Sequence, residues 1–370
     1  MKLKVAYLFG SLNRGGTETL LLDVLRNSSQ NELDVFGVYR KGGTLEKQFL
    51  SSGVDMFFIP LKRNLLFYLI QLRKLLLSNK ISIAHAQQPL DALLAWVATL
   101  GTNIKVIQTL HGFDFNEKSI SRMILTFIIK RTNINVFVSE TQKDYYLKKY
   151  HLKPEKQVVV YNGLDFNKFL NITAKSLRKD LGIDSDTLLL GSVGNFNNVR
   201  NQLLICRALK LLSDSGEDFH FVFVGKRIPN VEYLYDDCVS YCESNQLSTM
   251  VSFLGVRENV PEILAQLDAF VYSTVHDTFG IAVIEAMASG IPVFINDWDV
   301  MSEITQNGKY ATLYSTNNEF ELFGKLKDFI NDKLLFVNKS NNASDFVKDH
   351  LSIERHIQSL KKLYQNLAGF

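Results

Sequence analysis

The stretch DAFVYSTVHDTFGIAVIEAMASGIPVFIND, residues 268–297, places one segment of helical length between two apolar runs of strand length. The runs DAFVYS and IPVFI are short and rich in aromatic and β-branched residues, which is typical of buried strands. The segment between them predicts a helix that begins near Gly280, ends at Ser289 and is closed by Gly290 in the left-handed conformation. A strand, a helix and a strand in this order indicate a parallel α/β sheet.

The same alternation extends in both directions from this stretch. The second half of the chain also contains the runs LLLGSV, FHFVFVG and VSFLG, and the first half contains VAYLF, LDVFGV, DMFFI, ISIAHA, KVIQTL, NVFVS and QVVVYN. Ser139 and Gln142 have the spacing of a capping box for the helix after NVFVS. We therefore predict two Rossmann-like, doubly wound parallel-sheet domains that face each other across a cleft, where the strand ends bind ligands.

The length of 370 residues supports two domains, since one hydrophobic core rarely serves so long a chain. We predict a first domain over residues 1–165 and a second over 166–351, with the last helix, 352–370, docking back onto the first. A composition of 46% hydrophobic and 21% charged residues excludes a disordered or fibrous chain. Cys206 stands alone and Cys238 and Cys242 lack companions, so neither a disulfide framework nor a metal knot is expected.

The charge is distributed unevenly between the two predicted domains. Up to Asp165 there are 22 Lys and Arg against 13 Asp and Glu, a balance of +9, whereas the remainder has 19 against 25, a balance of −6. A basic first domain favours an anionic partner such as a phospholipid surface, a lipid diphosphate or nucleic acid, and a solvated basic face is the alternative. The stretches 61–77 and 118–132 mix cations with bulky apolar residues, so they either lie in a lipid interface or pack into the domain.

The amino terminus, MKLKVAYLFG, has an apolar run too short for a signal peptide or a membrane span. No later segment carries about 18 uninterrupted apolar residues. We therefore expect a cytosolic protein, able to reach the inner face of the plasma membrane, in which the Asn-x-Ser/Thr triplets at Asn27 and Asn171 have no role.

The chemistry of a ligand site is concentrated around the helix predicted over 280–289. Its first amides, those of Gly280, Ile281 and Ala282, have no partner within the helix and form an anion site suited to a diphosphate. Glu285, about one turn inside, is placed to accept hydrogen bonds from ribose hydroxyls, and Asp277 is placed to face the sugar. Asp277 as a cap of the helix is a compatible alternative.

Two features of the first half add to this hypothesis. Gly15 and Gly16 follow the first strand and open a helix, which either brings backbone amides to a phosphate or sugar or serves only a tight turn. His111 ends the strand KVIQTL, where ligands of such sheets bind, although a structural histidine is the alternative. His85 and His276 flank strand ends and are expected to line the cleft without chemistry.

Gly15-Gly16, the segment acid-x-Phe-Gly-x4-Glu-Ala-Met-Ala-x-Gly-x-Pro-Val and their spacing resemble the retaining glycosyltransferases of family 4, whose fold is GT-B. VSE (138–140), YNGLD (161–165), VGNFNNVRN (193–201) and FVGK (223–226) also occur in that family's order. The resemblance implies transfer of a hexosyl group from a UDP- or GDP-linked donor to a glycan or lipid-linked acceptor, with retained configuration, in bacterial surface polysaccharide biosynthesis. It implies no cofactor and no metal, since helix amides and Arg200 neutralise the leaving diphosphate.

The resemblance also assigns roles to residues. His111 and Asp277 are the predicted catalytic residues. The predicted donor-binding residues are Gly15, Gly16, Asn195, Arg200, Lys226, Phe279, Gly280, Ile281, Ala282 and Glu285. The family usually has Arg and Lys where Asn195 and Arg200 stand, and Glu at the position of Asp277, so donor preference or activity is open to change here.

Several alternatives stay open at this point. Arg200 is either a phosphate ligand or a solvated cation at a helix start, and Asp297-Trp298-Asp299 spells a metal motif of another fold but is better explained as a loop at the rim of the donor site. Glu303 matches a family residue that helps to close this region. A double displacement through Asp277 is the alternative to deprotonation of the acceptor by the departing phosphate. A sugar-nucleotide epimerase and a catalytically silent partner subunit are the rival functions, whereas a net charge of +3 disfavours nucleic-acid binding.

Overall fold

The computed structural model describes residues 3–28, 33–61, 64–115, 119–170, 172 and 177–369. The chain divides into two compact units, one of residues 1–165 with 351–370 and one of residues 166–350, and each contains one parallel sheet. Lys62, Arg63 and Lys118 of the two basic stretches, and Asn171, lie outside the described residues.

The described part of the first unit contains a sheet of seven parallel strands, one for each run that the sequence predicts. The strands are β1 (Lys4–Phe9), β2 (Asp34–Tyr39), β3 (Asp55–Phe58), β4 (Ile83–Ala86), β5 (Lys105–Leu110), β6 (Ile134–Phe137) and β7 (Gln157–Val159). Their order is β3-β2-β1-β4-β5-β6-β7, so the winding reverses between β1 and β4. Sheets of this kind bind ligands at the carboxyl ends of the strands where the winding reverses.

The described part of the second unit repeats this topology with six parallel strands. They are β8 (Leu188–Val193), β9 (Phe219–Val224), β10 (Val251–Gly255), β11 (Ala269–Tyr272), β12 (Val293–Asn296) and β13 (Thr312–Tyr314). The order is β10-β9-β8-β11-β12-β13, and the winding reverses between β8 and β11. The expectation of two doubly wound parallel sheets is therefore confirmed.

Helices connect the strands and cover both faces of the sheets. They are α1 (Gly16–Ser28), α2 (Glu46–Leu50), α3 (Leu65–Ser78), α4 (Pro89–Ala98), α5 (Ser119–Ile128), α6 (Glu140–Tyr150), α7 (Leu177–Leu181), α8 (Gln202–Asp214), α9 (Tyr233–Ser244), α10 (Val260–Leu264), α11 (Ile281–Ala288), α12 (Asp299–Ile304), α13 (Glu319–Asn331), α14 (Lys333–His350) and α15 (Ile353–Ala368). Short 3₁₀ turns lie at Pro154–Lys156 and Phe166–Phe169. Within the described ranges, every helix is too short or too polar to cross a bilayer.

The predicted capping box at the start of α6 forms only in part. The Ser139 hydroxyl accepts a hydrogen bond from the Gln142 amide at 3.2 Å, as the pattern requires. The Gln142 side chain, however, accepts from the amide of Val138 and donates its own amide to the carbonyl of Gly112. Gln142 therefore joins α6 to the loop after β5, which the local pattern cannot predict.

The last helix, α15, belongs to the core of the first unit. Ile353, Ile357, Leu360 and Tyr364 are buried in one cluster with the residues of β1 and α1. These residues recur every three or four positions, which is the spacing of one helix face. The Ser352 hydroxyl caps the helix by accepting from the Arg355 amide.

A buried chain of hydrogen bonds runs from the sheet of the first unit to α15. The ring of His85, in β4, is bonded through Nε2 to Thr109 Oγ1 at 2.7 Å and through Nδ1 to the Tyr364 hydroxyl at 2.6 Å. Tyr364 is bonded in turn to the hydroxyl of Tyr7 at 2.8 Å. The expectation that His85 lines a cleft is therefore wrong, because the side chain lies inside the sheet and is 1% exposed.

The core of the second unit corrects the expectation for the cysteines. Cys206 on α8 is buried with Cys238 and Cys242 of α9 in one hydrophobic cluster. Interaction with these two thiols and burial raise the pKa of Cys206 well above its usual value. The three cysteines thus form one buried group of free thiols, and Cys206 stands alone only along the chain.

Candidate functional site

The loop after β8 lies where the winding of the second sheet reverses. The Gly194 amide donates to the carbonyl of Val224 at 2.8 Å, so the ends of β8 and β9 are tied together. A Cβ atom on Gly225 would lie 2.0 Å from the Gly194 carbonyl oxygen, which leaves no room for a side chain. Two glycines therefore allow the two loops to touch.

Asn195 and Lys226 lie on these touching loops. The side-chain oxygen of Asn195 accepts from the backbone amide of Lys226 at 2.9 Å, and the carbonyl of Lys226 accepts from the Phe196 amide at 3.0 Å. Both Asn195 and Lys226 are exposed. Because its oxygen is used to hold the loop, Asn195 can offer a ligand only its side-chain NH₂ group.

Arg200 lies over Gly194 and is almost enclosed, with a side chain that is 14% exposed. Its guanidinium carbon is 4.0 Å from the centre of the Tyr272 ring, and Nη1 is 3.4 Å from Asp277 Oδ2. Burial lowers the pKa of Arg200, and the charge of Asp277 opposes this effect. Among the described residues, Nε and Nη1 are buried and have no hydrogen-bond acceptor.

Asp277 is held by contacts on both of its carboxylate oxygens. Oδ1 accepts from the amides of Thr278 at 2.7 Å and Phe279 at 3.3 Å, and Oδ2 accepts from the Tyr272 hydroxyl at 2.6 Å. The alternative that Asp277 caps the helix is wrong, because Gly280 is the N-cap of α11 without a side-chain hydrogen bond, and the amides bonded to Asp277 precede it. Tyr272, which contacts both Asp277 and Arg200, was not identified from sequence because an aromatic residue in a strand predicts only burial.

The helix after Asp277 begins and ends as predicted, to within one residue. Gly280 is its N-cap with φ of 79°, and Gly290 follows the C-cap with φ of 71°. A Cβ atom on Gly280 would also lie 2.9 Å from Met301, so this position requires glycine. Glu285 is half-buried one turn inside α11. Because the first amides of a helix have no partner within it, anion binding at the start of α11 stays a prediction.

The segment Asp297-Trp298-Asp299 borders the same region. Asp297 accepts from the amide and the hydroxyl of Thr316, both at 2.8 Å, and the Trp298 indole donates to the Asp277 carbonyl at 3.2 Å. Asp299 and Glu303 both lie on α12. In the part of the chain that the structure describes, no group of three or more His, Cys, Asp or Glu side chains is arranged to hold a metal ion.

In the first unit, Gly16 begins α1 directly after the loop that follows β1. A Cβ atom on Gly15 would lie 2.6 Å from the carboxylate of Glu18, and the Gly15 carbonyl accepts from the Thr19 amide. The amide of Arg14 donates to Thr44 Oγ1 at 2.9 Å, which ties this loop to the loop after β2. Neither Gly15 nor Gly16 has a positive φ, so the tight turn and the contact with a ligand both stay predictions.

His111 follows β5 and is fixed from two sides. Its Nε2 donates to the side-chain oxygen of Gln87 at 2.8 Å, and the next carbonyl, that of Gly112, accepts from Gln142 and from Tyr146. Burial and the nearby His356 lower the pKa of His111 to about 3. The ring is therefore neutral at physiological pH and can act as a hydrogen-bonding group but not as a cation.

Two family models match the chain in succession. Residues 14–168 match "Glycosyltransferase Family 4", and residues 173–348 match "Glycosyl transferases group 1". Together the two matches span nearly the whole chain.

Curated relatives and solved structures agree with these matches. The chain is 24% identical to an Escherichia coli UDP-Gal:α-D-GlcNAc-diphosphoundecaprenol α-1,3-galactosyltransferase, over 99% of this chain and 98% of that protein. It is 26% identical to a Campylobacter jejuni N,N'-diacetylbacillosaminyl-diphospho-undecaprenol α-1,3-N-acetylgalactosaminyltransferase, over 84% and 82%. The solved structure of a glycosyltransferase from Rickettsia africae superposes with a TM-score of 0.87 at 18% sequence identity and covers 99% of both chains. The structure of Anabaena HepE in complex with UDP and glucose superposes with a TM-score of 0.85 at 16% sequence identity, over 98% of this chain and 99% of that one.

Proposed function

The chain belongs to the family 4 glycosyltransferases of GT-B fold, and on this premise we propose that it transfers a sugar from a nucleoside diphosphate sugar to a lipid-linked or glycan acceptor in surface polysaccharide biosynthesis. The second unit binds the donor, and the first unit binds the acceptor. The relatives named above act on diphosphoundecaprenol-linked sugars, which supports a lipid-linked acceptor.

The observation that supports this proposal most directly is the burial of the Arg200 guanidinium nitrogens. Two of its nitrogens are buried at the strand ends where the second sheet reverses: among the described residues Nε has no hydrogen-bond acceptor, and Nη1 has only the 3.4 Å ion pair with Asp277. Leaving such donors unpaired costs free energy, which an anionic oxygen would recover through charge-assisted hydrogen bonds. The amides at the start of α11 supply further donors, so a diphosphate fits this site better than a neutral ligand.

The contacts of Asp277 support a reaction without a covalent intermediate, and the retained configuration is proposed from the family resemblance. A nucleophile needs a carboxylate oxygen directed at the sugar, whereas both oxygens of Asp277 are engaged by Tyr272, two amides and Arg200. We therefore favour deprotonation of the acceptor by the departing phosphate over a double displacement. Arg200 and the helix amides stabilise the charge of the leaving diphosphate, and no metal takes part in this scheme.

The helices α3 and α5 support contact of the first unit with a membrane surface. Leu66, Ile120 and Met123 are each more than two-thirds exposed, although the alternative expectation placed these faces in the core. Tyr68, Leu72 and Leu76 bury the opposite face of α3. Bulky apolar side chains next to exposed cations suit the boundary of an anionic lipid leaflet, and this supports the proposal that the enzyme works at the inner face of the plasma membrane.

A thermal-shift panel of UDP, GDP, UDP-glucose, UDP-galactose, UDP-N-acetylglucosamine and GDP-mannose tests the donor site. One nucleotide and its sugar should raise the melting temperature, because a ligand of the folded state stabilises it. Glu285→Ala should abolish the shift, whereas Arg207→Ala, an exposed cation on α8, should keep it. A wild-type protein that responds to none of the six would refute the proposed function.

The membrane contact needs a separate test. Flotation with vesicles containing phosphatidylglycerol should recover the wild-type protein, and the double variant Ile120→Ser with Met123→Ser should remain unbound. Equal recovery with neutral phosphatidylcholine vesicles would contradict the electrostatic part of the proposal, and no recovery with either vesicle would contradict the contact itself.

A further inference from the structure

Gln87 is a buried polar residue at the point where the first sheet reverses. It follows β4, its amide donates to the carbonyl of Leu8 in β1, and its side chain lies beside His111 after β5. It is 5% exposed. Three adjacent strand ends therefore enclose this one carboxamide.

The two ends of the carboxamide differ in their contacts. The oxygen accepts a hydrogen bond from His111 Nε2 at 2.8 Å. The nitrogen, Nε2, is buried and has no hydrogen-bond partner among the described residues. A buried donor without an acceptor costs free energy, so each such group in a native structure calls for an explanation, and a ligand that completes the hydrogen bond is one.

The surroundings of this nitrogen indicate the chemistry of the ligand. His111, whose ring is bonded to the same carboxamide, is neutral, since burial lowers its pKa to about 3. This neighbour is an uncharged hydrogen-bonding group, in contrast to the cation at the strand ends of the second sheet. A neutral oxygen such as a sugar hydroxyl suits the pair better than a phosphate.

We propose that Gln87 is a substrate-binding residue, whose Nε2 donates a hydrogen bond to a hydroxyl oxygen of a sugar while its oxygen holds the ring of His111. This inference rests on the proposed transferase function and deepens it. A buried donor that is satisfied only by a hydroxyl discriminates against sugars that lack it. Gln87 thus helps to determine which sugar is accepted.

The hydroxyl can belong to the transferred sugar or to the acceptor, and two measurements separate these sources. Calorimetry compares the affinity of the bare nucleotide with that of its sugar, using the pair from the thermal-shift panel that binds the wild type. Steady-state kinetics give the KM for N-acetylglucosaminyl diphosphate on a short alkyl chain. The variants are Gln87→Met, which removes both polar atoms, and Gln87→Glu, which keeps an acceptor for His111 but has no NH group.

Gln108→Met is the matched control, because Gln108 lies in β5 of the same sheet and is also buried with unpaired amide atoms, but inside the strand. In both Gln87 variants, either the affinity for the nucleotide sugar falls or the acceptor KM rises, by about fivefold, the value of one hydrogen bond. Affinity for the bare nucleotide stays at the wild-type value, and Gln108→Met changes neither quantity.

A fall in nucleotide-sugar affinity identifies the donor sugar, and a rise in KM alone identifies the acceptor. Wild-type values for both quantities in Gln87→Met and Gln87→Glu would overturn the inference while leaving the transferase intact. Failure of the proposed function looks different, because the wild type itself would then bind no nucleotide.

Discussion

Replacing Arg200 by methionine should stabilise the free protein and weaken its ligand binding at the same time. Methionine fills a similar volume over Tyr272 but has no charge to desolvate and no NH groups to satisfy. In the wild type, Nε and Nη1 are buried without acceptors, each at a cost of about 1–3 kcal/mol. The ion pair with Asp277 and the contact with the Tyr272 ring offset part of this cost.

The balance favours the variant by about 1–2 kcal/mol. Asp277 remains satisfied without Arg200, because Tyr272 and two backbone amides still donate to it. For a unit of this size, such a gain raises the melting temperature by roughly 2–4 °C for each kcal/mol. Loss of charge-assisted hydrogen bonds of about 1.5–3 kcal/mol each should weaken nucleotide-sugar binding at least tenfold.

The assay must report on the second unit by itself, since two units need not unfold together. A Trp96→Phe background leaves Trp298, whose indole contacts Asp277, as the sole tryptophan. Urea unfolding followed by its fluorescence gives the stability of the second unit, and calorimetry gives the ligand affinity. A variant that is less stable than the wild type and binds ligand equally well would show that Arg200 is a structural cation.

Three further outcomes follow from the described contacts. The free energy of unfolding of the first unit should fall as the pH drops from 6.5 towards 4, by up to about 1.4 kcal/mol per pH unit for each buried histidine. Burial lowers the pKa of His85 and His111 to about 3 and that of His356 to about 4, so the folded state binds fewer protons than the unfolded state. Equal free energies of unfolding in urea titrations at pH 7.5 and pH 5 would contradict this prediction. Tyr364→Phe should destabilise the first unit by about 2–3 kcal/mol in urea titrations, because it leaves Nδ1 of His85 and the hydroxyl of Tyr7 buried without their partner. A loss below about 0.5 kcal/mol would contradict the hydrogen-bonded chain. Gly225→Ala should lower the melting temperature and weaken nucleotide binding, because the added Cβ would separate the loops after β8 and β9. The control Gly324→Ala, on an open face of α13, should stabilise the protein by about 0.5–1 kcal/mol. A Gly225→Ala variant that melts at the wild-type temperature would contradict the contact between the two loops.

The sequence predicted twelve of the thirteen described strands, because each of these is a short apolar run that can be identified without knowledge of distant residues, and it missed β13, which has only three residues. The start and end of α11 were predicted for the same reason, since Gly280 and Gly290 act through their own backbone conformations. Both features can be identified from neighbouring residues alone, that is, from the spacing of apolar residues and from the positions of glycines.

The contacts that depend on distant parts of the chain could not be predicted in this way. His85 looked like a residue at a strand end, but its partner Tyr364 lies 279 positions away. Cys206 looked solitary because α9 returns to α8 only in the folded unit. Gln87 gave no signal at all, because a glutamine after a strand is ordinary until its burial and its unpaired nitrogen are known.

The origin of α15 at the far end of the chain has a consequence for biosynthesis. Residues 166–350 form one continuous unit, so the ribosome synthesises all of it in a single stretch. The first unit, by contrast, obtains its last core helix only after α15, which follows the second unit in the chain, has been synthesised. Before that point, the apolar face of α1 and the ring of His85 lack the α15 side chains that they contact in the folded unit. The nascent first unit is therefore the part of the chain that exposes apolar core surface for longest, and a stop codon before Ile353 would yield a protein with an intact second unit and an incomplete first unit.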